Sequence, residues 1–106
     1  DSVASRGLGD VYKRQVVYEY GPDTETRMNT RPEHRAWQKR LNEAGVLLAS
    51  GPLESEDQPG GLLIFRADDQ ANVEDLLAQD PYAEIGVIAS TQVRPWNPVF
   101  GPFAEA

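Results

Sequence analysis

The order of strand-like and helix-like segments is the feature that most limits the fold of this chain. Runs of β-branched, aromatic and aliphatic residues predict strands, and apolar residues at three- and four-residue spacing predict two amphipathic helices. In chain order the predicted segments are a strand at 16–20, a helix at 31–44, strands at 46–53 and 61–67, a helix at 70–80 and a strand at 86–96. This β-α-β-β-α-β order predicts an α+β, ferredoxin-like fold with a four-stranded antiparallel sheet and both helices on one face.

The first predicted helix has the clearest boundaries. Thr30 and Glu33 have the spacing of a capping box, and Gly45 is a typical stop signal. Pro32 falls in the predicted first turn, where its missing N–H is tolerated. Four residues share the inner face of this helix: His34, Trp37, Leu41 and Ala44. The preceding segment 21–29, which begins Gly-Pro-Asp, is predicted to be a loop.

The second helix is predicted from three apolar residues that share one face: Val73, Leu76 and Leu77. Asp68 or Asp69 is expected to cap its first turn. The Asp80-Pro81 pair is expected to end it, because proline disfavours helical geometry at the residue before it.

The apolar character of the strands predicts a second layer on the sheet. Two helices can cover only one face, but the predicted strands contain long apolar runs rather than strict alternation. The other face should therefore also be covered. The simplest cover is the same face of a second copy, so the sequence predicts a homodimer through the open sheet face.

Composition limits the class of function. A chain of 106 residues, 40% hydrophobic and 25% charged, predicts one globular domain. A net charge of −7 disfavours nucleic-acid and anionic-membrane partners, and no apolar run is long enough for a membrane span. One histidine and no cysteine exclude multi-histidine and thiolate metal sites. A carboxylate site for a hard cation stays open, but the spacing of a calcium loop is absent. Neither a metal nor a cofactor is expected. The cysteine count also favours a cytoplasmic protein.

The first fifteen residues differ from the rest of the chain. The stretch SRGLGDVYKRQ lacks the apolar core of a secretory signal and the Gly-Lys-Ser/Thr of a phosphate-binding loop. It matches the in-frame translation of a transposon-end adapter used in sequencing libraries. Residues 1–15 are therefore predicted to be a non-native, adapter-derived segment, followed by one domain at 16–100 and a C-terminal tail at 101–106.

His34 is the main candidate for chemistry, because imidazole is the side chain that titrates near neutral pH without help. A histidine base needs an orienting carboxylate, and Asp80 is the best placed, since both helices lie side by side on the sheet. Spacing alone also fits a half-buried helical histidine and a simple helix-ending turn. Both explanations remain open at this point.

The tripeptide at 50–52, Ser-Gly-Pro, interrupts an apolar strand. Glycine and proline weaken a strand interior, so the break indicates a bulge, a backbone close to a ligand, or a bend at the sheet edge. Ser50 lacks a Gly-x-Ser-x-Gly elbow and is not expected to be a nucleophile. Residues 59–61, Pro-Gly-Gly, are predicted to form a turn, and Trp37 and Trp96 are predicted to be packing residues.

Four stretches along the chain resemble the YCII-related (YciI-like) family: RPEHRAWQKRLNEAGVLLASGPL, PGGLLIF, LLAQDPY and VRPWNP. The resemblance covers nearly all of 16–100, and it rests on the order of Arg-x-x-His, Ser-Gly-Pro and Asp-Pro. It implies a dimeric α/β barrel, in which two ferredoxin-like sheets pack face to face. It also implies a pocket with a His34–Asp80 pair, and Arg31, Ser50 and Gly51 as substrate-binding candidates.

Two functions of different class remain, and the resemblance supports the first. Because the family includes a dehydrochlorinase and related barrels include muconolactone isomerases, the first is a cofactor-independent elimination or isomerisation of a cyclic oxygenated molecule. There His34 would move the proton, Asp80 would fix its tautomer and Arg31 would stabilise negative charge. The alternative is a non-catalytic dimeric module that binds a small ligand or serves as an accessory partner, with His34–Asp80 as a structural hydrogen bond.

Overall fold

The fold is given by a computed structural model that describes residues 12–104. Its elements are β1 (Lys13–Tyr20), α1 (Thr24–Glu43), β2 (Leu47–Leu53), β3 (Gly60–Arg66), α2 (Gln70–Leu77), α3 (Pro81–Glu84) and β4 (Ile88–Pro95). The four strands form one antiparallel sheet in the order β2-β3-β1-β4. The predicted ferredoxin-like α+β fold is therefore confirmed.

The core lies between the helices and one face of the sheet. Strand register brings alternate residues to that face: Val16 of β1 is opposite Leu63 of β3, and Tyr18 is opposite Gly61. Apolar side chains from the strands, the helices and the connecting segments complete the buried cluster: Tyr20, Trp37, Leu47, Phe65, Ala67, Val73, Leu77, Tyr82 and Val87. Their burial is the main driving force that holds α1 and α2 on the sheet.

Strand β1 begins three residues earlier than the prediction at residue 16. Lys13 and Arg14 are only 3% and 6% exposed, and they belong to a strand that is paired on both sides. Arg14 is opposite Phe65 of β3 and Pro95 of β4, so pairing with both neighbours extends β1 into the predicted adapter segment. Residues 1–11 lie outside the described residues, and the adapter origin stays a prediction.

Helix α1 begins at Thr24, so the predicted start at residue 31 and the loop at 21–29 are wrong. The cap is Asp23 rather than Thr30: its side chain accepts hydrogen bonds from the Thr26 backbone N–H at 3.1 Å and hydroxyl at 2.7 Å. Pro32 lies inside this 20-residue helix. A proline there removes one backbone hydrogen bond, which the many other hydrogen bonds of a long helix can offset.

Helix α2 has the predicted cap at Asp69, whose side chain accepts a hydrogen bond from the Asn72 N–H at 2.8 Å. The predicted end at Asp80 is wrong, because α2 ends at Leu77. Asp80 instead caps the short helix α3, and Pro81 occupies its first turn. The Asp-Pro pair thus starts a helix, which is the position that both residue types favour.

Strand β2 lies at the edge of the sheet, where proline is tolerated. Its register shift falls between Leu47 and Ala49, whereas the Ser-Gly-Pro residues at 50–52 pair regularly with β3. A bulge at the tripeptide itself is therefore not present. The turn predicted at 59–61 is also wrong in part: Gly60 and Gly61 begin β3 and pair with β1 instead of forming a turn. A Cβ at the first of them, Gly60, would collide with the Tyr18 carbonyl oxygen.

The face of the sheet opposite the core is only partly covered. Val17 and Leu62 are paired there and half-buried, Ile64 is buried, and Leu53 is 41% exposed. Residues 97–104 form no helix or strand. Among residues 12–104, no helix is both long and apolar enough to span a membrane.

Candidate functional site

A cleft of about 720 Å³ lies between α1 and the edge of the sheet formed by β2 and the start of β3. Four of the five residues predicted from sequence line it: Arg31, His34, Ser50 and Gly51. The fifth, Asp80, is 0% exposed and lies behind His34. The cleft has the size of a small-molecule site.

His34 and Asp80 form a direct contact although 46 residues separate them in the chain. The distance from His34 Nδ1 to Asp80 Oδ1 is 2.8 Å. His34 is only 6% exposed, and its ring is stacked on that of Tyr82, with centroids 3.8 Å apart and planes at 5°. The stacking and the hydrogen bond together fix the plane and the rotation of the imidazole.

Asp80 is a buried carboxylate with three hydrogen-bond contacts. Besides His34, it accepts a hydrogen bond from the Tyr18 hydroxyl at 2.7 Å and from the Tyr82 N–H at 3.0 Å. Burial, followed by the charge of Asp80, raises the pKa of Tyr18 far above its ordinary value, so this hydroxyl stays a donor. These contacts offset the desolvation of the carboxylate.

The second nitrogen of His34 is directed to Gln38 of α1. Gln38 Nε2 lies 3.0 Å from His34 Nε2, and Gln38 Oε1 accepts a hydrogen bond from the Ser50 hydroxyl at 3.3 Å. If the Gln38 amide donates, His34 Nε2 is the unprotonated nitrogen and Nδ1–H donates to Asp80. This is the tautomer in which Nε2 can accept a proton.

Two residues of this network were missed from sequence. Gln38 follows His34 by four residues, so helical spacing was a usable signal for it. Tyr18 contacts Asp80 across 62 residues, and nothing local in the sequence indicates that contact. The cationic residues Arg27, Arg35 and Lys39 also line the cleft and were not predicted, although they share the four-residue spacing of Arg31. Within the described chain, no group of three His, Cys, Asp or Glu residues could hold a metal ion.

Comparison with known proteins identifies the family. The model of the YCII-related domain matches residues 11–97. The chain belongs to the YCII-related family. The family expected from the sequence is therefore confirmed, and the match begins at residue 11, within the segment predicted to be adapter-derived.

Curated relatives and a solved structure agree with membership of the YCII-related family. The chain is 36% identical over 76 residues to derivative of benzaldehyde biosynthesis cluster protein C of Emericella nidulans. This match covers 63% of the present chain and 78% of the relative. It is 34% identical over 88 residues to an uncharacterized protein of Haemophilus influenzae, covering 74% and 90%. Both matches span more than two thirds of the relative's own length.

The fold is also that of 5-chloro-2-hydroxyhydroquinone dehydrochlorinase from Burkholderia phenoliruptrix, which was solved in complex with 2,5-dihydroxybenzoquinone. The TM-score is 0.69 at 22% identity, over 80% of this chain and 93% of the other. This similarity shows a shared fold.

Proposed function

We propose that the protein is a small enzyme of proton-transfer type that works without a cofactor, on a cyclic oxygenated small molecule. The observation that carries the proposal is the 2.8 Å contact between His34 Nδ1 and a fully buried Asp80, beside a cleft of small-molecule size. Asp80 would hold the tautomer in which Nε2 accepts the proton, and would stabilise the imidazolium that forms.

The reaction class is an elimination or an isomerisation. His34 Nε2 removes a proton from the substrate, and the electron pair of the broken bond moves into the ring system. In an elimination a leaving group departs with its bonding pair, whereas in an isomerisation the proton returns at another carbon. Arg31, on the cleft wall three residues before His34, would stabilise the negative charge that develops. The dehydrochlorinase of the same fold, solved with a cyclic oxygenated ligand, supports this class by analogy.

Gln38 has a defined part in this proposal. Its amide occupies His34 Nε2 at 3.0 Å, so a substrate must displace the Gln38 side chain to reach the base. After proton transfer, rotation of the amide would present Oε1 to the new Nε2–H. The side chain is held by the Ser50 hydroxyl at 3.3 Å, a long and therefore weak hydrogen bond.

The same contact favours the alternative, a non-catalytic ligand-binding or accessory module. Because His34 is only 6% exposed and both ring nitrogens have protein partners, the His34–Asp80 pair also suits a purely structural role. In that case the cleft would bind a small molecule without changing it.

A turnover screen on chlorinated hydroxyquinols and lactones separates the two functions. For the enzyme, we expect His34→Ala to lower kcat/KM by about a hundredfold or more, since general-base catalysis contributes this much. Added imidazole should restore part of the rate, which a structural histidine would not allow. Turnover that is unchanged in His34→Ala, with the variant folded by circular dichroism, would exclude His34 as the base.

We also propose that two copies pair through the open sheet face. The half-buried Val17 and Leu62 and the exposed Leu53 on this face support the proposal. Light scattering should give twice the chain mass of 11.7 kDa. Leu62→Glu should yield monomers, whereas Thr91→Glu, an exposed position on the other face of the sheet, should not. A monomer at micromolar concentration would refute this pairing.

A further inference from the structure

A row of positive charges lies along the helical wall of the cleft. Arg27, Arg31, Arg35 and Lys39 follow one another at four-residue intervals on α1, and all four line the cavity. Residues four apart on a helix are neighbours on one face. Four of the chain's ten Lys and Arg residues therefore lie on this cleft, although the chain carries a net charge of −7.

The row has few acidic neighbours. Within residues 12–104, none of these four side chains forms a salt bridge with a carboxylate, and Glu54 is the only acidic residue on the described part of the cleft wall. Like charges at i and i+4 repel each other, so the arrangement lowers the stability of α1. It also leaves an unbalanced positive potential inside the cleft.

The first cation of the row is held against an aromatic ring. The guanidinium carbon of Arg27 lies 4.5 Å from the centroid of the Tyr20 ring, and its Nε is buried with no hydrogen-bond partner among the described residues. Burial raises the pKa of Tyr20 to about 12, and the charges of Arg27 and Arg31 act against this rise. The field of the row thus reaches the aromatic floor of the cleft.

The opposite wall leaves room for a ligand. Ser50 of β2 lies on this wall with a short side chain, and Gly51 beside it has none. A planar guanidinium matches the two oxygens of a carboxylate, and charge-assisted hydrogen bonds of this kind are stronger than neutral ones.

We propose that the cleft selects small cyclic ligands that carry a carboxylate, and that Arg35 and Lys39 act in this selection together with Arg31. The inference rests on the proposed function only in taking the cleft as the ligand-binding site. It goes further by assigning the charge of the ligand and the residues that recognise it.

Two matched probes test the charge directly. The anion 2,5-dihydroxybenzoate and the neutral 2,5-dihydroxybenzamide share a ring and two hydroxyls, and titration calorimetry at pH 7 measures the Kd of each. We expect the anion to bind about tenfold more tightly, as one charge-assisted hydrogen bond provides. Its Kd should rise with added salt. Equal Kd values, or no binding of either probe, would overturn the inference.

Variants of one helix test the residues. Arg35→Gln and Lys39→Gln should each weaken binding of the benzoate severalfold and leave the benzamide unchanged. Arg40→Gln removes the same charge from an exposed position of α1 that does not line the cleft, so it should leave both Kd values within about twofold. If Arg40→Gln weakens benzoate binding by the same factor, the effect comes from the net charge of the protein. That result would refute the assignment of Arg35 and Lys39.

The binding experiments on ligand charge can fail or succeed independently of the turnover experiments on the proposed enzyme. Binding requires no turnover, so His34→Ala should keep the preference for the anion. If turnover is absent while the preference persists, only the enzymatic proposal fails. If turnover is found while both probes bind equally, the charge inference alone fails.

Discussion

The starts of α2 and α3 have the same local chemistry and different surroundings. Asp69 and Asp80 each cap a helix by accepting a backbone hydrogen bond two or three residues ahead, from Asn72 at 2.8 Å and from Tyr82 at 3.0 Å. Asp69 is exposed, whereas Asp80 is 0% exposed. The comparison shows that a capping aspartate becomes part of a candidate site only when the fold buries it.

The two positions differ in what else the carboxylate does. Among the described residues, the Asp69 side chain accepts only its capping bond, and its other carboxylate oxygen is open to water. Asp80 also holds Tyr18 and His34, from β1 and α1. A buried carboxylate needs such partners, because an unpaired one would be strongly destabilising.

The largest expected effect is at Asp80. Asp80→Asn places an amide N–H₂ against the Tyr18 hydroxyl or the Nδ1–H of His34, so a buried donor loses its acceptor. We expect the free energy of unfolding to fall by about 3 kcal/mol. The matched variant Asp69→Asn keeps a good capping residue, and should cost only about 0.5 kcal/mol or less. Urea denaturation at neutral pH measures both.

Equal losses of unfolding free energy in Asp80→Asn and Asp69→Asn would contradict the proposed difference between the two caps. Such a result would mean that Asp80 acts as a helix cap and that its contacts to Tyr18 and His34 contribute nothing measurable to stability.

A third capping aspartate gives the smallest expected effect, and it depends on pH. The hydrogen bonds from Thr26 lower the pKa of Asp23 below its ordinary value of 3.8. A carboxylate with a lowered folded-state pKa stabilises the fold above the unfolded pKa and loses this contribution as pH falls through the folded one. Thermal melting of the wild type and Asp23→Asn should therefore differ by a small amount near neutral pH. The difference should shrink as the pH falls through the lowered folded-state pKa of Asp23.

A melting difference that persists unchanged at the lowest pH would show that Asp23 does not act through its charge. Thermal melting of Asp69→Asn over the same pH range allows the stability contributions of the two exposed caps, Asp23 and Asp69, to be compared directly.

Much of the fold could be predicted because its signals are local. Alternating and helical periodicities gave the order of strands and long helices, and the Asp69 cap lies next to the helix that it begins. The start of α1 was missed because Pro32 resembles a helix start, and its single lost hydrogen bond does not end a helix capped earlier at Asp23. Helix α3 was missed because four residues are too few to show periodicity.

The candidate site was predicted in part. The helical face of His34 and the resemblance to the YCII-related family pointed to His34, Asp80, Arg31 and Ser50, which the fold places at or beside one cleft. The same helical spacing could also have predicted Gln38 and the cations Arg27, Arg35 and Lys39. The role of the Tyr18 hydroxyl could not be predicted, since the alternation of β1 shows only that Tyr18 faces inward.

The sequence by itself determined the order of the strands and the two longer helices, the Asp69 cap and the four-residue spacing of the cations on α1, because each depends on residues within a few positions of one another. Only the tertiary structure decided that Asp80 is a buried acceptor. Its partners come from positions 46 and 62 residues earlier in the chain, and they meet when α1 and β1 pack against the start of α3. Burial removes water from the carboxylate, so the identity of these distant donors sets what an otherwise ordinary helix cap can do.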